Sequence, residues 1–153
     1  ANEPAVFVGS QIRQRDDDLG LAHAAVAVET GGWTNPHAFP LMVMQTILGS
    51  WDRTMAAGPN MASPLCRKVG EGQLAHSLTS FNTTYKDTGL FGVYTVCDPT
   101  KVWELSSTIM YEMVRLSYSP GAEEVERAKD IFADPELEAE GEAAVGARRD
   151  GGA

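Results

Sequence analysis

Over a short step around Asp98-Pro99 the chain changes its hydrophobic period, and this limits what it can fold into more than any other feature. Leu90 to Cys97 reads L-F-G-V-Y-T-V-C, a β-branched and aromatic run of strand character. From Pro99 to about Ser117, Val102, Leu105, Ile109, Met113 and Leu116 recur at helical spacing. A strand and an amphipathic helix joined this tightly bury their apolar faces against each other. Upstream, Gln73 to Thr84 is rich in Ser, Thr and Phe and reads as another strand. Asp87-Thr88-Gly89 supplies turn residues that join the two strands as a hairpin.

Three segments open alike. Asn35-Pro36, Asp98-Pro99 and Ser119-Pro120 each set an N-cap residue before a proline, which loses no hydrogen bond at the first helical position. The first predicted helix runs to about Trp51, with Leu41, Met44, Leu48 and Trp51 on one face. Pro40 would forfeit an intrahelical bond deep inside it, so the regular helix is expected to begin near Pro40. The third, Pro120 to Phe132, buries Val125, Ala128 and Phe132 and exposes Glu123, Glu124, Glu126, Arg127 and Lys129.

Before these helices, Ala5 to Arg15 reads as an extended strand broken by the solvated triplet Asp16-Asp17-Asp18. Leu21 to Glu29, a run of small apolar residues closed by Gly31-Gly32, fits a strand buried on both faces, although its periodicity leaves a helix open. Ala56 to Pro64 reads as a loop. From Ala133 onward Ala, Glu and Gly dominate. Such a stretch buries too little apolar surface to offset ordering entropy, and disorder is expected. The chain therefore divides into a domain at 1–132 and an acidic tail at 133–153. The element order gives the class α+β, with a mostly antiparallel sheet and helices packed on it.

Little chemistry is visible. The chain carries 21 acidic against 12 basic side chains, a net charge of −9, which argues against nucleic acid because phosphate contacts need clustered Lys and Arg. No apolar run approaches the roughly 20 residues of a membrane span. His23, His37 and His76 form no H-E-x-x-H or H-x-x-E-H pattern, so no local pair begins a zinc site. His23 is expected to be structural within a buried strand, and His37 to lie on the surface. Cys66 and Cys97 lie far apart, in no spacing that suggests a disulfide framework or a metal, and Cys66 has no activating partner. The Asp triplet lacks the alternating ligands and glycine of a calcium loop.

Several stretches are more specific. They are Phe7-Val8-Gly9-Ser10-Gln11-Ile12-Arg13, Ala22-His23, Val28-Glu29 with Gly32-Trp33, and Gly49-Ser50-Trp51-Asp52-Arg53. The strongest runs from His76-Ser77 through Ser80-Phe81-Asn82-Thr83-Thr84-Tyr85-Lys86-Asp87-Thr88-Gly89-Leu90-Phe91-Gly92-Val93-Tyr94 to Val96-Cys97. From about Phe7 to Ile131 the chain resembles the pitrilysin-type metallopeptidase family, in its second, non-catalytic half and its processing-peptidase beta and complex III core branch.

The resemblance implies part of one α+β half-domain of the pitrilysin/processing-peptidase fold. It implies a structural role in subunit assembly, with processing-peptidase or complex III core subunits as hetero-oligomeric partners, in the mitochondrial matrix or peripheral on the matrix side of the inner membrane. An alternative is the accessory half of a split zinc metalloendopeptidase that receives basic presequence peptides. The zinc would then be held by a first half or a partner, and this chain would hold no cofactor. A further alternative is an unrelated α+β protein-binding module. In active relatives an R-E-x-x-G-L-A-Y-like stretch supplies an Arg and a Tyr that touch substrate. The matching stretch here is Gly70-Glu71-Gly72-Gln73-Leu74-Ala75-His76, with Gly70 at the Arg position and His76 at the Tyr position. The resemblance thus marks Glu71, His76, Asn82 and Tyr85 as substrate- or partner-facing, and assigns no catalytic or metal residue. It also implies that family members continue past Ile131 with an apolar helix where this chain turns acidic, and that a sheet edge here is left to pair with another chain.

Overall fold

The computed structural model describes residues 3, 5–54 and 63–133. The elements are β1 (Ala22–Gly31), α1 (Ala38–Leu48), β2 (Ser50–Asp52), α2 (Pro64–Glu71), β3 (Ser77–Thr84), β4 (Thr88–Cys97), a 3-10 turn (Pro99–Lys101), α3 (Val102–Tyr118) and α4 (Ala122–Ala133). The strands form one sheet in the order β1-β4-β3-β2, every neighbour antiparallel. This is the α+β architecture expected from the sequence. Phe91, Val93, Thr95 and Cys97 of β4 alternate onto the helix-bearing face beside Leu78 and Ser80 of β3 and Trp51 of β2, all buried. Leu105, Ile109 and Leu116 of α3, Val43, Ile47 and Leu48 of α1, Leu65 and Val69 of α2, and Ala128 of α4 close over that face as one core.

Several expectations need correction. Residues 5–15 form no strand and are exposed throughout. No described strand offers them a ladder, and Val6, Val8 and Ile12 stand 82%, 74% and 89% exposed. The segment is tied at its start by the Ala5 N–H, which donates to Asp87 Oδ2 at 2.7 Å. β1 is not buried on both faces. Ala22, Ala24 and Val26 are half-buried against the core, while His23, Ala25, Ala27 and Glu29 are exposed on the far face. A strand at the rim of a one-sided sheet has one covered face, whatever its composition.

The first helix begins at Ala38, so Pro40 stands in its first turn, where backbone N–H groups have no intrahelical acceptor to lose. It stops before Trp51. Gly49, at φ 72°, turns the chain into β2, where Trp51 pairs with Leu78. Asn35 does not cap this helix; its Oδ1 accepts the His37 N–H at 2.8 Å in the preceding turn.

The loop expected at Ala56–Pro64 lies partly outside the described residues, but its end starts α2, a helix not expected from the sequence. Ser63-Pro64 carries the same signal as the other three steps, and here the cap forms. Ser63 Oγ accepts from the Cys66 N–H at 3.3 Å and donates to the Leu48 carbonyl at 2.7 Å. In α4, Glu124 accepts the Gly121 N–H at 3.2 Å, the glutamate half of a capping box alone since Gly121 has no side chain, and this keeps Glu124 from being the exposed residue expected. Phe132, expected in the core, lies where no side chain is described, and the tail beyond residue 133 is likewise outside the described residues.

Candidate functional site

None of the three histidines meets another ligand-type cluster. Among the described residues no group of three or more His, Cys, Asp or Glu side chains is arranged to hold a metal. His23, expected in a buried strand, is exposed and shares a 2.7 Å hydrogen bond between Nδ1 and Tyr94 Oη across the outer face of the sheet. His37 is exposed just before α1. His76 is half-buried, with Nε2 3.0 Å from Asp98 Oδ1. The His76 hydrogen bond holds the Asp98 carboxyl below the usual carboxylate range; burial opposes this, and the charges of His76, Arg53 and Lys101 add to it. Cys66 and Cys97 are buried free thiols, each pushed up chiefly by burial, the opposite of an activated nucleophile.

The four positions marked from the sequence do not converge. Glu71 is exposed at the end of α2. His76 and Tyr85 flank opposite ends of β3. Asn82, on β3, turns its Oδ1 to a buried place without a hydrogen-bond partner among the described residues. Tyr85 is 53% exposed at the hairpin turn, where its N–H donates to the Thr88 carbonyl at 2.8 Å.

Sequence reading missed the strongest polar feature. Glu112 lies on the apolar side of α3 with its side chain 2% exposed. Lys68 Nζ of α2 donates to its Oε1 at 2.5 Å, and Arg115 Nε donates to its Oε2 at 2.8 Å. Arg115 then clasps Glu124 of α4 with two hydrogen bonds of 3.1 Å. Burial pushes the Glu112 carboxyl up, but the bonds and charges of Lys68 and Arg115 outweigh it and hold it low. Lys68 Nζ also lies 4.6 Å from the centre of the Tyr111 ring. This chain of ions ties three helices together and is full; it offers no open position to a ligand. Only its helical spacing was legible, at i+3 from Ile109 and i−4 from Leu116, and a charged residue there reads as an interruption of the stripe.

One open cleft is chiefly apolar. Val26, Val28, Leu41, Met44, Phe91, Met110, Met113 and Val114 line a cleft of about 340 Å³ between β1, α1 and α3, with Glu29, Thr30 and Ser117 as polar members. It adjoins the edge of β1, which pairs with no other strand among the described residues. The outward side of α3 adds Trp103, Tyr111 and Tyr118 at 84%, 61% and 87% exposure. Such surfaces fit contacts with other protein segments better than chemistry on a small substrate.

The family description "Peptidase M16 inactive domain" matches residues 1–132. The chain belongs to that family. Among M16 relatives, the probable beta subunit of the mitochondrial-processing peptidase of Arabidopsis thaliana is 48% identical over 130 residues, covering 85% of this chain and 24% of the relative. The Bos taurus beta subunit is 47% identical over 129 residues, covering 84% of this chain and 26% of the relative. A chain of complex III from Candida albicans superposes with a TM-score of 0.78 at 29% identity, over 84% of this chain and 31% of its own length. The chain thus spans about a quarter of the length of the curated relatives it matches. The resemblance to the inactive half of the M16 fold, in its processing-peptidase beta and complex III branch, is therefore confirmed. At the two positions where the resemblance led us to expect Arg and Tyr, Gly70 is buried in α2 and His76 is bonded to Asp98.

Proposed function

We propose that this M16 domain is a non-catalytic structural part of a processing-peptidase beta or complex III core type subunit, and that it serves subunit assembly. The observation that carries the reading is the open apolar cleft beside the β1 edge, backed by the exposed side of α3. Surfaces of that size and composition are costly to leave in water and are normally covered by protein. The relatives' names place them in mitochondria, and the reading extends this to the matrix or the matrix side of the inner membrane, held peripherally. No helix among the described residues is long and apolar enough to cross a membrane. Partners are core or processing-peptidase subunits in a hetero-oligomer. Glu71 and Tyr85, both exposed, are the marked positions most available to them. Native electrophoresis of solubilised mitochondrial membranes tests this: the chain is expected to co-migrate with complex III or a processing-peptidase complex. A compact, stable lone monomer on size exclusion would overturn it.

The net charge of −9 favours one second reading, the accessory half of a split zinc endopeptidase that helps enclose basic presequences. Zinc would then sit on another segment or chain. Presequence cleavage by a zinc-loaded partner, assayed with and without this chain, separates the two; equal rates would end the second reading.

A further inference from the structure

Trp33 stands just past β1, 71% exposed. Both of its N–H groups are already spent on the β3–β4 hairpin. Its backbone N–H donates to the Tyr85 carbonyl at 3.1 Å, and its indole Nε1–H donates to the Thr84 carbonyl at 2.9 Å. The approach that permits this depends on Gly32, where an added Cβ would stand 2.5 Å from the Lys86 carbonyl oxygen. The Gly32 carbonyl is in turn held by the Asn35 N–H at 3.0 Å. The backbone is thus locked on both sides of an indole that points its apolar body at solvent. Covering the ring itself would have needed none of this.

We infer that Trp33, strapped onto the β3–β4 turn, is a pre-positioned anchor that inserts into an apolar pocket of a companion subunit. The inference rests on the assembly reading and assigns part of that contact to a residue. An indole whose N–H is satisfied within its own chain needs no acceptor from the partner, so the receiving pocket is apolar throughout. Glu29 and Asp87 lie on this end of the sheet, bonded to Thr88 Oγ1 and to the Ala5 N–H, with Lys86 on the turn between. The net acidity here favours a basic rim on the pocket. Tryptophan is enriched among interface residues that carry most of the binding energy, and a ring fixed in advance loses little entropy on docking.

The test is a titration of a purified companion subunit of the processing-peptidase or complex III core type with the unmodified polypeptide, W33A and W33F. W33A is expected to weaken binding about 30-fold, and W33F, which keeps an apolar ring, only a few-fold. As a readout that does not depend on the fold of W33A, 5-fluorotryptophan labelling gives separate 19F resonances for Trp33, Trp51 and Trp103, and the Trp33 resonance is expected to shift in the complex. Binding by W33A within two-fold of the unmodified polypeptide, or a bound complex whose Trp33 resonance is unmoved, overturns the anchor while leaving the assembly reading intact. Failure of the unmodified polypeptide to bind overturns both.

Discussion

β1 and β4 are neighbours of equal length, paired residue for residue from Ala22↔Cys97 to Gly31↔Thr88, yet they live in different surroundings. β4 has strands on both sides and helices over one face; Phe91, Val93, Thr95 and Cys97 are essentially closed to water. Among the described residues β1 has a partner on one side only, and its inward positions are Ala22, Ala24, Val26 and a half-exposed Val28. Both segments read as strands, β4 through β-branched and aromatic residues and β1 through small apolar ones. What differs is how much neighbouring chain each can gather, and that decides how much each residue contributes to stability.

The comparison can be broken most directly with paired truncations. Phe91→Ala on β4 should cost about 3–5 kcal/mol in urea unfolding, because it removes a large ring and leaves a cavity under α1 and α3. Val28→Ala, on the same face of β1 and opposite Phe91 in register, should cost less than about 1 kcal/mol. Similar losses at the two sites would mean that β1 is as well covered as β4.

The helical layer over β4 supplies the next test. Glu112→Gln keeps the shape and removes the charge that Lys68 and Arg115 share. With Glu112 buried but both cations partly solvated, a loss of about 2–3 kcal/mol is expected at neutral pH. The folded carboxyl is held low, so its contribution is fully present above the unfolded value of about 4.3. It fades as pH falls through the lower folded value. The gap in stability between the unmodified chain and Glu112→Gln should therefore close on acidification below about pH 4, followed by urea unfolding across pH. A constant gap would show that the charge is not what matters.

The smallest effect sharpens the contrast at the edge. Val28→Thr should move stability by no more than about 0.5 kcal/mol, since the position is half in water already. A larger destabilisation, measured the same way, would place Val28 in a covered interface.

The helix and strand inventory was largely present in local sequence. The 3.6-residue stripe of α3 and the β3–β4 hairpin are short-range signals, set by turn chemistry and periodicity within a few residues. The prolines marked helix starts well but caps poorly. Asp98 faces two claims on its carboxylate and goes to His76, a residue that sequence spacing does not connect to it, whereas Ser63, passed over in a segment read as loop, does the capping. Of the marked surface positions, the chain order could place Tyr85 at a turn, but not Trp33 against it, because the two meet only when β1 lies beside β4.

By itself, then, the sequence settled the β3–β4 hairpin, the helices α3 and α4, the mostly antiparallel α+β class and the absence of a local zinc motif. These follow from spacing and residue type, which act over a turn or two. Only the tertiary structure decided that β1 lies at the rim, that residues 5–15 find no strand to join, and that Glu112 goes inside. Each of those depends on what distant chain arrives to cover a face or neutralise a charge, and burial is a property of the assembled neighbours rather than of the residue that is buried.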